Sequence, residues 1–230
     1  DLMSPKYLEQ NFEDHIEEHL VQSGYSSLKS TTYDKTLCLV PSKLIEFIQE
    51  SQPKTFEKLE SQYGSETSTK LLKRISTEIE NRGVIDVLRK GVKARGCTFH
   101  LVYFEPKSGL NPDHQKLYKQ NRLSVVRQLK YSTQNENSLD MGIFVNGIPI
   151  ITMELKNTLT GQNHLNGEKQ YKYDRDPKEP LFHFKRCLVH FSVGNEKVSM
   201  TTKLSKGKTR FLPFNKGIDN PVNPKDHRTS

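Results

Sequence analysis

Apolar and polar positions follow two different periods along the chain, and together they predict an α/β protein. Apolar residues recur every four positions from Leu8 to Leu20, which predicts an amphipathic helix over residues 7–24. Residues 42–90 keep the helical period between proline and glycine breaks, and predict a helical insertion that packs on the core. Other apolar runs predict short strands at 36–40, 97–105, 123–131, 188–193 and 198–204, a polar loop at 111–119 and a helix at 168–175.

The strongest local signal is a β-hairpin over residues 138–157, SLDMGIFVNGIPIITMELKN. Asn146-Gly147 separates two apolar runs, and this dipeptide favours a two-residue turn between antiparallel strands. Such a turn pairs Val145 with Ile148. We expect the hairpin to lie in a central mixed sheet with strands 97–105 and 188–193, flanked by the helices at 7–24 and 168–175.

Two acids of the hairpin do not share a face if its pairing is regular. Regular pairing puts Asp140 opposite Met153, on the face away from Glu154. A cation site shared by the two carboxylates needs one shift of register. Pro149 is a suitable place for the shift because proline cannot donate to the ladder. The sequence therefore predicts a bulge or a widened loop between Asp140 and Glu154.

These acids, followed by a lysine, indicate metal-dependent cleavage of phosphodiester bonds. Asp140 and Glu154 supply the hard oxygen ligands that Mg²⁺ prefers, and Lys156 can orient a water and offset charge in the transition state. The chain also contains Glu105-Pro106-Lys107 and Asp176-Pro177-Lys178, in which the central proline disfavours strand geometry. The alternative is an edge hairpin on which Glu154 and Lys156 form only a surface pair.

Composition favours an anionic partner. The 230 residues carry a formal net charge of +8, which favours nucleic acid first and a membrane surface second. Three widely spaced cysteines predict reduced thiols in the cytosol, and we find no signal peptide or membrane-spanning run. Asp1-Leu2 ahead of Met3 suggests that Met3 is the natural first residue. His190, inside an apolar run, is expected to be a hydrogen-bonded core histidine.

Several segments, taken in order, resemble the N-terminal region of the R subunit of type I restriction-modification enzymes, which carries a nuclease domain of the PD-(D/E)xK superfamily. The segments are NRLSVVRQLKY (121–131), residues 138–157, QYKYDRDP (170–177), PLFHFKRCLVHFSV (180–193), SMTTKL (199–204) and TRFLPFN (209–215). The resemblance implies a restriction-endonuclease-like fold and a type I site-specific deoxyribonuclease that cleaves duplex DNA with Mg²⁺, for which Mn²⁺ can substitute. It also implies methyltransferase and specificity subunits as partners. The cysteines and the lack of a membrane-spanning run lead us to expect a cytoplasmic location and no membrane partner.

The resemblance also implies roles for single residues. Asp140, Glu154 and Lys156 would be the catalytic set, although Leu139 replaces the superfamily's proline. Gln170 and Tyr171 would support the site or contact the DNA backbone. The spacing of the family's Gln-x-x-x-Tyr element puts Gly167 where its glutamine belongs. Glu13 is expected as a further metal ligand from the first helix, with Glu9 as second choice.

No ATP site is expected in this chain. Gly207-Lys208-Thr209 matches part of a phosphate loop, but Thr202 stands where the loop's first glycine belongs. The resemblance implies that ATP binds in motor domains that would follow Ser230. We therefore expect a nuclease domain at 1–215 and a tail or linker at 216–230. The alternative is a catalytically silent module that binds DNA or docks the R subunit on its partners; an RNA-binding domain finds little support.

Overall fold

Seven strands form one mixed sheet through the middle of the protein, which a computed structural model describes over residues 4–215. The strands are β1 Ser26–Leu28, β4 Leu123–Lys130, β5 Ser138–Val145, β6 Ile148–Leu155, β7 Val189–Val193, β8 Val198–Thr201 and β9 Leu212–Pro213. Their order across the sheet is β1-β4-β5-β6-β7-β8-β9. The β1/β4 and β6/β7 pairs are parallel, and the other neighbours are antiparallel. This architecture confirms the predicted mixed α/β fold.

A helix covers each face of the sheet near its centre. Helix α1, Pro5–Gln22, begins where the Ser4 hydroxyl accepts a hydrogen bond from the amide of Tyr7. Its apolar stripe packs on one face of β4, β5 and β6. Helix α7, His164–Lys169, continues through a wider π-helical turn, Gln170–Asp174, and buries Tyr171 against the other face. Both helices were predicted, and both reach the same end of the β5–β6 hairpin.

The predicted helical insertion is confirmed as a layer with its own core. It comprises α2 Pro41–Ser51, α3 Pro53–Tyr63, α4 Thr67–Arg82 and α5 Val84–Lys90, followed by the two-stranded hairpin β2 Val92–Ala94 and β3 Cys97–Phe99. Apolar side chains of these elements pack mainly on one another. Arg186 joins this layer to the sheet side of the protein, because its guanidinium donates 3.2 Å hydrogen bonds to the carbonyl of Ser76 and to Glu80.

The prediction of a central strand over 97–105 is wrong. Only Cys97–Phe99 is extended in a ladder, and its partner is β2, outside the central sheet. Beyond Phe99, two side-chain amides supply the hydrogen bonds that a neighbouring strand would otherwise supply. Gln52 donates to the carbonyl of His100 at 2.8 Å and accepts from its amide at 2.7 Å, and Asn121 does the same for Tyr103. The backbone is satisfied there without a sheet.

Three smaller predictions also differ from the structure. Residues 36–40 form a turn closed by a single bridge between Asp34 and Leu39. The predicted loop at 111–119 contains helix α6, Pro112–Tyr118, because Asn111 caps it and proline suits its first turn. The strand predicted at 198–204 is shorter, because β8 ends at Thr201. The expected tail at 216–230 lies outside the described residues, as do residues 1–3. Within residues 4–215, no helix combines the length and apolarity needed to cross a bilayer.

Candidate active site

The β5–β6 hairpin contains the predicted bulge. Asn146 and Gly147 form its turn with φ values of +49° and +79°, and Val145 pairs with Ile148 as expected. Phe144 then pairs with Pro149, but Ile143 pairs with Ile151. Ile150 is therefore the extra residue, directly after the proline that cannot donate to the ladder.

The bulge changes which residue faces Asp140. Below it, Gly142 pairs with Thr152 and Met141 with Met153, so the next step of this register brings Asp140 opposite Glu154. The amide of Leu155 donates a 2.7 Å hydrogen bond to Asp140 Oδ2, which holds that carboxylate at the end of β6. The two acids therefore lie on neighbouring strands and interact electrostatically.

Glu154 is fully buried, with an exposed fraction of 0%. Its Oε1 accepts hydrogen bonds from Arg175 Nε at 2.7 Å and Nη2 at 2.6 Å, whereas Oε2 has no hydrogen-bond partner. Burial, followed by the negative charge of Asp140, raises the pKa of Glu154 to about 8, against the opposing effects of Arg175 and Lys156. A buried carboxylate oxygen without a partner is costly, which makes this atom a strong candidate ligand for a cation.

Lys156 lies two residues beyond Glu154, where β6 ends. Its backbone amide donates to the carbonyl of Val193 at 2.8 Å, so the lysine is fixed beside the parallel strand β7. Its side chain is nearly buried, and its ammonium forms no ion pair with an acid among residues 4–215. The positive charge is close enough to Glu154 to lower the pKa of that carboxyl. Asp140, Glu154 and Lys156 therefore meet at one end of the hairpin.

Arg175 is a site residue that the sequence did not reveal. It ends the helical segment after α7, and its guanidinium lies 5.6 Å from the centre of the Tyr131 ring. Both Arg175 and Glu154 are at least nine-tenths buried. The arginine lies in the segment DRDP, which looks like a charged turn. The only signal for its role is that Arg175 follows the buried Tyr171 by four residues, the spacing of one helical face.

Glu13 faces the site from α1 but already has protein partners. Arg127 Nη2 donates to its Oε2 at 3.1 Å, and Gln128 Nε2 donates to its Oε1 at 2.8 Å. Burial, followed by the charge of Asp140, raises the pKa of Glu13. Arg127 also pairs with Asp14 and Glu17 of the same helix. The role of Glu13 as a metal ligand stays a prediction.

The sheet is irregular beside the two carboxylates. Two neighbouring pairs of β4 and β5 face opposite sides of the sheet. The pair Arg127–Met141 faces α1, and the next pair on the same faces of the strands, Leu129–Leu139, packs on the opposite side. Regular strands keep such residues on one face. Gln128, between the two levels, has a φ of +47°, a conformation that costs a non-glycine residue about 1 kcal/mol or more. Such strain is often found at functional sites.

Tyr171 lies beneath the hairpin, not on the surface. Its exposed fraction is 0%, and its hydroxyl is 2.9 Å from Thr152 Oγ1, which in turn lies 2.6 Å from His190 Nδ1. Burial lowers the pKa of His190 to about 4, so this ring is neutral at physiological pH, and the predicted core histidine is confirmed. Tyr171 can therefore support the site but cannot contact DNA.

The Gln-x-x-x-Tyr element is shifted in this chain, and the packing at Gly167 gives the physical reason. The side-chain oxygen of Gln170 is buried without a hydrogen-bond partner, and its role stays a prediction. A β-carbon at Gly167 would lie 2.2 Å from Ser192 Oγ and 3.5 Å from the β-carbon of Glu154. A glutamine cannot occupy position 167 in this fold, because the helix touches the strands there.

The family is decided by comparison with known proteins. A family model described as the type I restriction enzyme R protein N terminus matches residues 5–209. The chain belongs to this family. A comparison with curated protein sequences gave no significant match. The match includes the hairpin, both flanking helices and Arg175, so the site described above lies within the R protein N-terminal domain.

The residues of this R protein domain fit a divalent cation. The donors are oxygens: the unpartnered Oε2 of Glu154 and the carboxylate of Asp140 on the facing strand. Among residues 4–215 there is no group of three or more His, Cys, Asp or Glu suited to holding a metal. Mg²⁺ is commonly bound by one or two carboxylates and completes its shell with water and phosphate oxygens, so two carboxylates suffice.

Proposed function

We propose that this R protein N-terminal domain is a Mg²⁺-dependent endonuclease that hydrolyses phosphodiester bonds of duplex DNA. The observation that carries the proposal is the bulge at Ile150, which brings Asp140 opposite Glu154 while Glu154 Oε2 has no partner. This one-residue shift of register brings two acids together and buries one of them, which costs desolvation energy. Stability alone does not explain such an arrangement.

In this reaction Asp140 and Glu154 would hold Mg²⁺, or Mn²⁺ in its place. When bound, the cation supplies positive charge at the scissile phosphate and a water of lowered pKa. Arg175 holds one oxygen of Glu154, so that the other is left for the cation. The Lys156 ammonium, directly after β6 and close enough to lower the pKa of Glu154, would position the attacking water and offset negative charge that develops on the phosphate.

The wider context of the reaction is part of the same proposal. In the whole R protein, methyltransferase and specificity subunits would select the DNA site, and ATP would be used by motor domains. The domain would act in the cytoplasm. The domain itself would contact the phosphate backbone, which carries no sequence information, and would receive DNA selected elsewhere.

Two measurements test the proposal. Calorimetry should detect Mn²⁺ binding to the 230-residue chain, and Asp140→Ala should abolish it, because one of two carboxylates is lost. Lys156→Ala should keep the cation but lose nicking of plasmid DNA. Glu105→Ala is the matched control, since it removes an acid from a second Glu-x-Lys sequence that is not in a hairpin, and it should change neither result.

A docking module without catalytic activity is the second candidate. The observation that favours it is the complete burial of Glu154 against Arg175, which also describes an ordinary structural ion pair. This candidate predicts no Mn²⁺ binding in the wild-type chain. Heat release on adding Mn²⁺ that Asp140→Ala leaves unchanged would equally count against the endonuclease, because the cation would then be bound elsewhere.

A further inference from the structure

A run of positive charge without acids follows strand β8. Residues 203–210, KLSKGKTR, which we call the basic turn, contain Lys203, Lys206, Lys208 and Arg210. All four side chains are exposed, and none forms an ion pair with an acid in the described part of the chain. This differs from the helical layer, where charged side chains such as Arg82 pair with acids one helical turn away.

Hydrogen bonds fix the backbone of the basic turn. Thr209 is buried, and its hydroxyl accepts from the amide of Ser205 at 2.8 Å and donates to the carbonyl of Lys206 at 2.6 Å. The amide of Lys208 donates to the carbonyl of Ser205 at 3.1 Å. Lys206 itself adopts a φ of +53°, which a lysine rarely does. The backbone that carries the cations is therefore fixed before any ligand arrives, which reduces the entropy lost on binding.

The basic turn adjoins the candidate active site. A β-carbon at Gly207 would lie 3.5 Å from the ring of Tyr173, whose exposed fraction is 71%. Lys206, Gly207, Tyr173 and Arg175 line one groove of about 440 Å³. Arg175 thus joins the two features, because it lines this groove and holds Glu154.

The charge that lines this first groove is mixed. Asp174 and Asp176, both exposed, line it together with Lys172, Arg175 and Lys206. On the other side of the turn, Lys203, Lys208 and Arg210 line a second groove of about 510 Å³ that no acid lines. A row of phosphates that lies along this second groove would meet three cations and no acid.

We propose that the basic turn binds the sugar–phosphate backbone of duplex DNA beside the Glu154 site. The partner follows from three properties: exposed cations without acid partners, a rigid backbone, and an exposed tyrosine between them and Arg175. Regularly spaced phosphates satisfy such a surface without base recognition. This inference rests on the proposed endonuclease, because the basic turn would guide the DNA strand that is cleaved at Asp140 and Glu154.

The salt dependence of DNA binding tests this inference. The variant Lys206→Asn/Lys208→Gln/Arg210→Gln removes three charges, and asparagine suits the left-handed backbone at position 206. Anisotropy of a labelled short duplex in EDTA should show a plot of log K against log salt that is flatter by about 2 to 3, since each lost phosphate contact removes roughly one. Affinity at low salt should fall at least about tenfold.

A charge-matched control separates local contact from net charge. Lys54→Gln/Lys58→Gln/Lys93→Gln removes three exposed cations from the helical layer and should leave the slope within about one of wild type. Equal slopes for both triple variants would overturn the inference. So would a wild-type chain that binds poly-glutamate but not the duplex, because the turn would then serve an acidic protein.

Calorimetry with Mn²⁺ keeps the two proposals apart. The basic-turn variant should bind Mn²⁺ as the wild type does, because neither carboxylate is changed. Absence of Mn²⁺ binding in the wild type, together with turn-dependent DNA binding, would refute the endonuclease and leave a DNA-binding surface. Normal Mn²⁺ binding without duplex binding would refute the surface alone.

Discussion

Replacement of Glu154 by glutamine should change how the stability of the metal-free protein depends on pH. The fully buried carboxyl has a pKa of about 8 in the folded protein and an ordinary value of 4.5 when exposed. Because the folded value is the higher one, the stability that this group contributes is complete below about pH 4.5 and is lost as the pH rises through about 8. Glu154→Gln has no proton to lose at this position.

The expected size follows from the difference between the two pKa values. The unfolded chain loses the Glu154 proton near pH 4.5 and the folded protein keeps it, so stability falls by about 1.4 kcal/mol per pH unit in between. From about pH 5 to about pH 8 the wild type should therefore lose roughly 3 to 4 kcal/mol relative to Glu154→Gln, because the slope is shallower at the two ends of this range. The constant cost of leaving Arg175 without its anion cancels, because only the change with pH is compared.

Urea denaturation in EDTA at several pH values measures this change directly. Added Mn²⁺ should then stabilise the wild type most at the alkaline end, where the carboxyl is most easily ionised, and should stabilise Glu154→Gln far less. Parallel stability curves for the two proteins between about pH 5 and about pH 8 would refute the reasoning. They would mean that Arg175 already compensates the burial of an ionised Glu154.

Three further substitutions test the packing around the site. Arg127→Met should cost about 2 to 3 kcal/mol by urea denaturation, because partly buried acids of α1 lose their cation; a cost under about 1 kcal/mol would mean that apolar contacts alone hold the helix. Gly167→Ala should lower the melting temperature, since its methyl group would lie 2.2 Å from Ser192 Oγ, and Ser192→Ala should partly restore it in the double variant. Thr152→Val should cost about 1 to 2 kcal/mol in thermal unfolding, because it leaves the Tyr171 hydroxyl unpaired. It should not change the affinity for Mn²⁺, and an altered affinity would show that Thr152 acts on the site.

The hairpin could be predicted in detail because its signals are local. Asn146-Gly147 fixes the turn, and strand alternation then states which faces the acids occupy. The need for a shift followed from the positions of Asp140 and Glu154 alone, and Pro149 indicated where the ladder could break. The bulge at the next residue, Ile150, agrees with that reasoning.

The strand predicted at 97–105 failed for a physical reason. Alternation reports that one face is buried, but it does not say which element supplies the hydrogen bonds. Here Gln52 and Asn121 supply them from distant parts of the chain. The edge of the central sheet next to β4 is taken instead by β1, a strand of three residues with no strong apolar pattern. Nothing local distinguishes the two outcomes.

Arg175 was missed for the opposite reason, since its own surroundings in the sequence are polar. Its partner Glu154 is 21 residues away, and only the packing of the helix after α7 on β6 brings them together. The contact between Arg175 and Glu154 affects both the burial of this carboxyl group and the availability of its second oxygen. By donating to one oxygen of Glu154 from within the protein, Arg175 offsets part of the cost of burying this carboxyl group. By filling only one, it leaves the second oxygen with a desolvation cost that a divalent cation between Asp140 and Glu154 would remove. In the proposed endonuclease, Arg175 would thus set the strength of the cation site without touching the cation.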